Sequence, residues 1–219
     1  MRATEESREP EKRPFTSNRL LQAMILVYAG IWIWMAVSPY SRFDWVLENL
    51  LIWAALIGLV STYRLFSFSN LSYAFIGIFL VLHTVGAHYS YNENVVDVWM
   101  KLLFHTERDS YDRLVHFSFG LLLAYPIREA MFVWTNLSRR WLYVITCVIV
   151  LALGAFYELI EMWVALLVAP EIGTLFLGTQ GDPWDTHHDM EMALYGSIIA
   201  MGLMALWRKT MIQSKKNKM

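Results

Sequence analysis

The chain has 219 residues, 57% of them hydrophobic and 17% charged, against roughly 45–50% and a quarter in an ordinary soluble domain. A net charge of -1 argues against a nucleic-acid partner, and a single cysteine with 11 glycines and 6 prolines excludes disulfide-rich and collagen-like classes. Charge is gathered into blocks between apolar runs about long enough to cross a ~30 Å hydrocarbon core, so the partner these runs imply is a lipid bilayer.

Residues 1–19 are charged, hold two prolines and read as a cytoplasmic tail. The first apolar run, about 20–38, is longer than a signal-peptide core and leads into Ser38-Pro39-Tyr40 instead of a small-x-small cleavage site, so it is read as an uncleaved helix. The second and third runs cover about 45–63 and 71–91, the third carrying His83 and His88. Val95, Val98, Trp99, Leu102 and Leu103 then recur at helical spacing with Asp97 and Lys101 opposite, which predicts a short helix in the interface plane. The fourth run covers about 112–134, interrupted by Pro126, and the fifth about 141–168 with Glu158 and Glu161. Residues 169–188 hold Gly173, Gly178, Gly181 and Pro183 and are expected to be irregular. The sixth run spans 189–207, and 208–219 form a basic tail. The expected fold is all-α: a polytopic membrane protein with one six-transmembrane-helix bundle over 20–207.

Orientation follows from Lys and Arg near the span ends. With the N-terminus inside, fourteen of them fall on the cytoplasmic side and only four, Arg42, Lys101, Arg108 and Arg113, outside. Both termini are therefore assigned to the cytoplasm of a multi-pass inner-membrane protein.

Ionisable groups within spans cost about 2.5–3.5 kcal/mol at mid-membrane and ask for a reason. His83 and His88 lie near the outer end of the third run, Asp112 and His116 open the fourth, and Asp185 and Asp189 lead into the sixth. Glu158 and Glu161 fall about 25 and 30 Å along the fifth at ~1.5 Å per residue, and His105, His187 and His188 are also on the outer side. Asp112 and His116 share a helix face, as do Glu158 and Glu161, with Gly120, Gly154, Ala193 and Gly196 on the same stripes permitting close approach. The third to sixth runs are expected to surround one outward-open polar pocket, with the first two peripheral and largely apolar.

Three readings of that pocket compete. In one the groups form a structural polar core, a costly route to stability compared with apolar packing. In the second, His83, His116, Glu158, Glu161, Asp185 and Asp189 hold a divalent metal, or His116, oriented by Asp112, works with Glu158 as acid and base. The expected activity is then hydrolysis or group transfer on a lipid or lipid-linked substrate. The third is a cation or polar-solute binding or transport protein, for which only Arg128 and Glu129 extend polarity toward the inner side.

The segments His83-Thr-Val-Gly-Ala-His-Tyr89, Tyr111-Asp-Arg-Leu-Val-His-Phe117, Phe156-Tyr-Glu-Leu-Ile-Glu-Met162 and Leu177-Gly-Thr-Gln-Gly-Asp-Pro-Trp-Asp-Thr-His-His-Asp-Met190 resemble, in this order, the YjdF-like bacterial inner-membrane family. A looser likeness, Asp-Arg-x-x-His followed by later Glu and Asp-x-x-x-Asp, is to VanZ-like membrane proteins. The resemblance implies an inner-membrane location and no particular activity. Its motifs favour His83, His88, Asp112, Arg113, His116, Glu158, Glu161, Asp182, Asp185 and Asp189, with Arg128 and Glu129 as a separate inner pair. His187 and His188 stand where that family's pattern has Gln and an aromatic residue, so the resemblance does not favour them.

Trp45, Trp141 and Trp207 mark span ends and read as an interfacial belt. Cys147 reads as a packed thiol.

Overall fold

The computed structural model describes residues 14–91, 94–105, 108, 110–177 and 179–216. The expectations for 1–13, Gly178 and 217–219 lie outside these residues. Among the described residues a single 3-10 turn, Phe15–Ser17, leads into eight helices: α1 Arg19–Met35, α2 Arg42–Thr62, α3 Asn70–His88, α4 Val95–Phe104, α5 Tyr111–Trp134, α6 Arg139–Leu167, α7 Pro170–Leu177 and α8 Asp185–Lys216. Among the described residues there is no strand.

Local chemistry sets the helix starts. The side chains of Asn18, Ser41, Ser69 and Asn94 accept from the orphan N–H groups of Leu21, Asp44, Ser72 and Val96. α5 is capped from a distance, since Asp97 Oδ1 in α4 accepts from Ser110 N at 2.5 Å and Tyr111 N at 2.8 Å. The short helix forms as expected, and Val95, Val98, Trp99, Leu102 and Leu103 are all exposed while Asp97 is buried. Its apolar face is directed outward, as a helix lying on lipid requires.

Three sequence expectations are revised. Pro126 does not interrupt the fourth run, because α5 continues through it to Trp134 with the ring buried. Residues 169–188 are not irregular throughout, since α7 occupies Pro170–Leu177 and α8 begins at Asp185. Trp45 is buried, its ring tilted against Trp32 at 5.5 Å with Arg42 over it, whereas Trp141 and Trp207 are exposed as an interfacial belt requires.

Among the described residues four helices, α2, α3, α6 and α8, are long and apolar enough to cross a membrane, and α1 is a shorter apolar helix of 17 residues. Exposed Leu26, Trp34, Val60, Leu166 and Leu167 would be unfavourable in water and are at home in lipid. α5 is the centre of the bundle, packed against α3, α6 and α8, with α1 beside α3. The closest approach is between α5 and α8. A Cβ on Gly120 would lie 1.9 Å from Ala193 O, and one on Gly196 2.1 Å from Phe117 O. Ala124, Val150, Ala193 and Met201 close the apolar core, with Cys147 packed against it.

Candidate functional site

The α5–α8 contact brings the acidic and imidazole groups together. Asp112 and His116, one turn apart on α5, place Oδ1 and Nε2 3.6 Å from each other. Glu158 of α6 reaches the same imidazole, with Oε1 3.4 Å from His116 Nε2. α8 starts early enough for Asp189 to join, and one ligand atom from each of Asp112, His116 and Asp189 lies within 4.8 Å of the others. Asp189 is 2% exposed and Glu158 7% exposed, yet Asp189 Oδ1 and Glu158 Oε1 complete no hydrogen bond. Buried carboxylate oxygens that complete no hydrogen bond among the described residues, gathered beside one imidazole, are costly unless a proton or a cation joins them.

Asp185 is also buried but engaged otherwise. It pairs with Arg108, and Arg113 Nη2 lies 3.4 Å from it and donates to Asp182 at 2.6 Å. Arg108 further donates to the carbonyl of Thr179 at 2.9 Å. Asp182 accepts from the N–H of Trp184 at 2.9 Å, and this bond, then Arg113, holds its carboxyl below the usual carboxylate range. These contacts fasten the segment before α8 to the start of α5 and so fix the angle at which Asp189 enters the cluster. Glu161 is buried beside Glu158.

His83 is not in the Asp112–His116–Asp189 group. Its Nε2 faces Glu48, 3.2 Å from the carbonyl and 3.5 Å from the carboxylate, while Nδ1 meets the hydroxyl of Tyr91 at 2.5 Å. Tyr157 donates to Glu48 Oε2 at 3.3 Å and lies edge-on to His116. Both walls, His83 with Tyr91 and Asp112 with His116, line one cavity of about 290 Å³, whose other lining is largely apolar and includes Leu51, Phe79 and Phe119. Tyr91 and the preceding Ser90 have positive φ, 57° and 52°, a conformation that costs a non-glycine residue roughly 1–2 kcal/mol. The ring is seated on Gly86, where a Cβ would fall 2.5 Å from it.

The expectation that the first two runs are peripheral and apolar is therefore corrected: α2 buries Asp44, Glu48 and Asn49, with Glu48 in the cavity wall's hydrogen-bond network. The test already applied to the later helices, that an ionisable group in an apolar run needs a reason, would have found Glu48 three residues into the second run. Other candidates lie apart. His88 Nδ1 donates to the carbonyl of Met35 at 2.7 Å and ties α3 to α1. His187 packs on Trp184, and His188 faces Glu191 at 3.5 Å on the exposed side of α8. At the opposite end, Glu129 accepts from Ser69 N at 2.8 Å and from Ser69 Oγ and Ser72 Oγ, while Arg128 covers the Tyr143 ring. Glu129 thus anchors the start of α3, and both residues are remote from the cluster in the fold.

Comparison with known proteins adds the family. A family model described as "Predicted membrane protein (DUF2238)" matches residues 20–210. The chain belongs to that family. It is 32% identical over 190 residues to the inner membrane protein YjdF of Escherichia coli (strain K12), covering 86% of this chain and 88% of that one. No solved structure matches. The family match covers α1 to α7 and most of α8, and with it every group in the cluster, and the protein is an integral, multi-pass, all-helical membrane protein.

Proposed function

We propose that this protein is a metal-dependent hydrolase or group transferase that works at the outer leaflet on a lipid or lipid-linked substrate. The observation that carries this reading is the convergence of Asp112, His116 and Asp189 within 4.8 Å of one another, with Asp189 Oδ1 and Glu158 Oε1 buried and unsatisfied. One imidazole and two or three carboxylates suit a hard or borderline divalent cation, and no thiolate competes, since Cys147 is packed against the apolar core. Such an ion would supply Lewis-acid polarisation of an ester oxygen and a more acidic bound water. Asp112, His116 and Asp189 would hold it. Glu158, beside His116, is placed to accept and return a proton, and Arg108 and Arg113 keep Asp185 and Asp182 paired and out of the ligand set.

The cavity supports the choice of substrate, because a space of about 290 Å³ lined mainly by apolar side chains accepts an alkyl or isoprenoid chain and rejects a free polar solute. The charge asymmetry of the sequence supports an outward-facing site, a periplasmic loop over α7 and six spans in all, with α1 and α5 as the two beyond the four helices that meet length and hydropathy on their own. A transport reading draws less support. Ala124, Val150, Ala193 and Met201 form an apolar layer, and Glu129 beyond it is already satisfied by Ser69 and Ser72.

Elemental analysis of gently purified protein tests the reading, with about one divalent ion per chain expected and the ion lost in Asp189→Asn. Lipid extracts of overexpressing and deletion cells supply the second arm. Identical lipids together with an altered solute or proton flux would overturn it.

A further inference from the structure

From the cavity lining outside the cluster we infer that Tyr91, His83 and Glu48 form a nucleophile, base and orienting acid, with Tyr91 Oη as the attacking atom toward an ester carried on an alkyl chain. The inference rests on the hydrolase or transferase reading but not on the metal.

Three observations carry it. The first is connectivity: Tyr91 Oη lies 2.5 Å from His83 Nδ1, and His83 Nε2 lies 3.2 Å from the Glu48 carbonyl and 3.5 Å from its carboxylate. The tautomer that satisfies all three contacts carries its proton on Nε2 and leaves Nδ1 as an acceptor for the phenol. The hydroxyl thus bonds the imidazole, and the other ring nitrogen donates to the main-chain carbonyl of Glu48 with the carboxylate 3.5 Å away, which is the order of nucleophile, base and orienting acid. The second is placement. Tyr91 and His83 line the apolar cavity, so a chain seated there brings its ester to the phenol, with Asp112 and His116 in the lining of the same cavity. The third is conformation, because Ser90 and Tyr91 are consecutive non-glycine residues at positive φ and the ring sits on the bare face of Gly86. A tyrosine needed only for packing has no call for a strained turn, whereas one aimed at a reacting atom does. The turn is also held from below, with Tyr91 N bonded to Gly86 O at 2.9 Å and Tyr40 N to His88 O at 2.9 Å.

The chemistry balances without a further reagent. His83 Nδ1 takes the phenolic proton as Tyr91 Oη bonds to the acyl carbon or phosphorus of the ester. The alkoxide that leaves accepts that proton from His83, and the group stays on Tyr91 as an aryl ester. Water attacks that ester next, its proton passing to His83 Nδ1 and then to Tyr91 Oη as the phenol departs. In transfer, a second alcohol replaces water.

The test uses the full chain in detergent micelles with a medium-chain alkyl fluorophosphonate, in buffer containing a chelator. Tyr91 Oη is expected to displace fluoride and gain one phosphonyl group per chain, located by peptide mass mapping. Tyr91→Phe should lose the adduct, and His83→Gln or Glu48→Gln should slow it by roughly 10²-fold, the usual scale of general-base assistance. If those two variants fail to fold, the position of the adduct in the wild-type chain decides by itself. No adduct on Tyr91 in folded wild-type protein, or equal labelling of Tyr91→Phe, overturns the inference. Because the chelator removes any ion, loss of labelling and absence of metal are separate results, and failure of the metal reading leaves this one standing or falling alone.

Discussion

Gly120→Ala is the most telling single change, since it attacks the contact that assembles the cluster. The added Cβ would lie 1.9 Å from Ala193 O and 2.8 Å from Ser197 N, both backbone atoms of α8. Ordinary contact begins at 3.4 Å, so α5 and α8 must part by about 1.5 Å or rotate past each other. Overpacking against movable side chains costs about 1–3 kcal/mol, and backbone atoms cannot turn away, so about 3 kcal/mol or more is expected. At ~2–4 °C per kcal/mol this is a fall in Tm of roughly 6–12 °C. Ligand distances in a metal site tolerate only about ±0.2 Å, so the same displacement should empty the Asp112–His116–Asp189 group. Gly154→Ala is the control. Its Cβ would meet Ala193 Cβ at 3.6 Å, an ordinary contact, and the gain in helix propensity of ~1 kcal/mol should leave it neutral or slightly stabilised. Thermal unfolding in micelles with elemental analysis of each variant reads both effects. A Gly120→Ala protein that melts with wild type and keeps its ion would show that the α5–α8 approach does not build the site.

Three further outcomes are expected. His116→Ala or Asp112→Asn should lose the ion, because each removes one ligand of the group, while far-UV circular dichroism stays unchanged; destabilised variants of a metal-free wild type would instead favour a structural core. Asp182 has a depressed folded pKa, so its contribution is present above the ordinary carboxylate value of about 3.9 and is lost as pH falls through the lower folded value. Hydrogen exchange at 179–185 should accordingly rise in Asp182→Asn at neutral pH, and at a pH below that folded value wild type and variant should exchange alike. A reporter fused after Asp182 should read periplasmic and one after Arg64 or Arg140 cytoplasmic; a cytoplasmic signal after Asp182 would invert the topology.

Lipid exposure, helical class and the stratum of polar groups were legible without coordinates, because burial in a bilayer imposes a simple rule: long apolar runs, with every ionisable exception conspicuous. Helical spacing likewise put Asp112 with His116 and Glu158 with Glu161, since i, i+3 and i, i+4 neighbours share a face whatever the fold does. What spacing cannot supply is rotation and partner. Whether His83 turns toward His116 or toward Glu48 depends on how α3 is rolled against α2 and α5, and the answer joined it to Glu48 and Tyr91. Asp185 and Asp189 lie one turn apart on α8, yet the arginines at the head of α5 take one and leave the other to the cluster. Both arrangements come from long-range packing, the first with Tyr91 seated on Gly86 and the second set by the glycines through which α5 and α8 meet, and contact between distant segments leaves no periodic trace in the sequence of either.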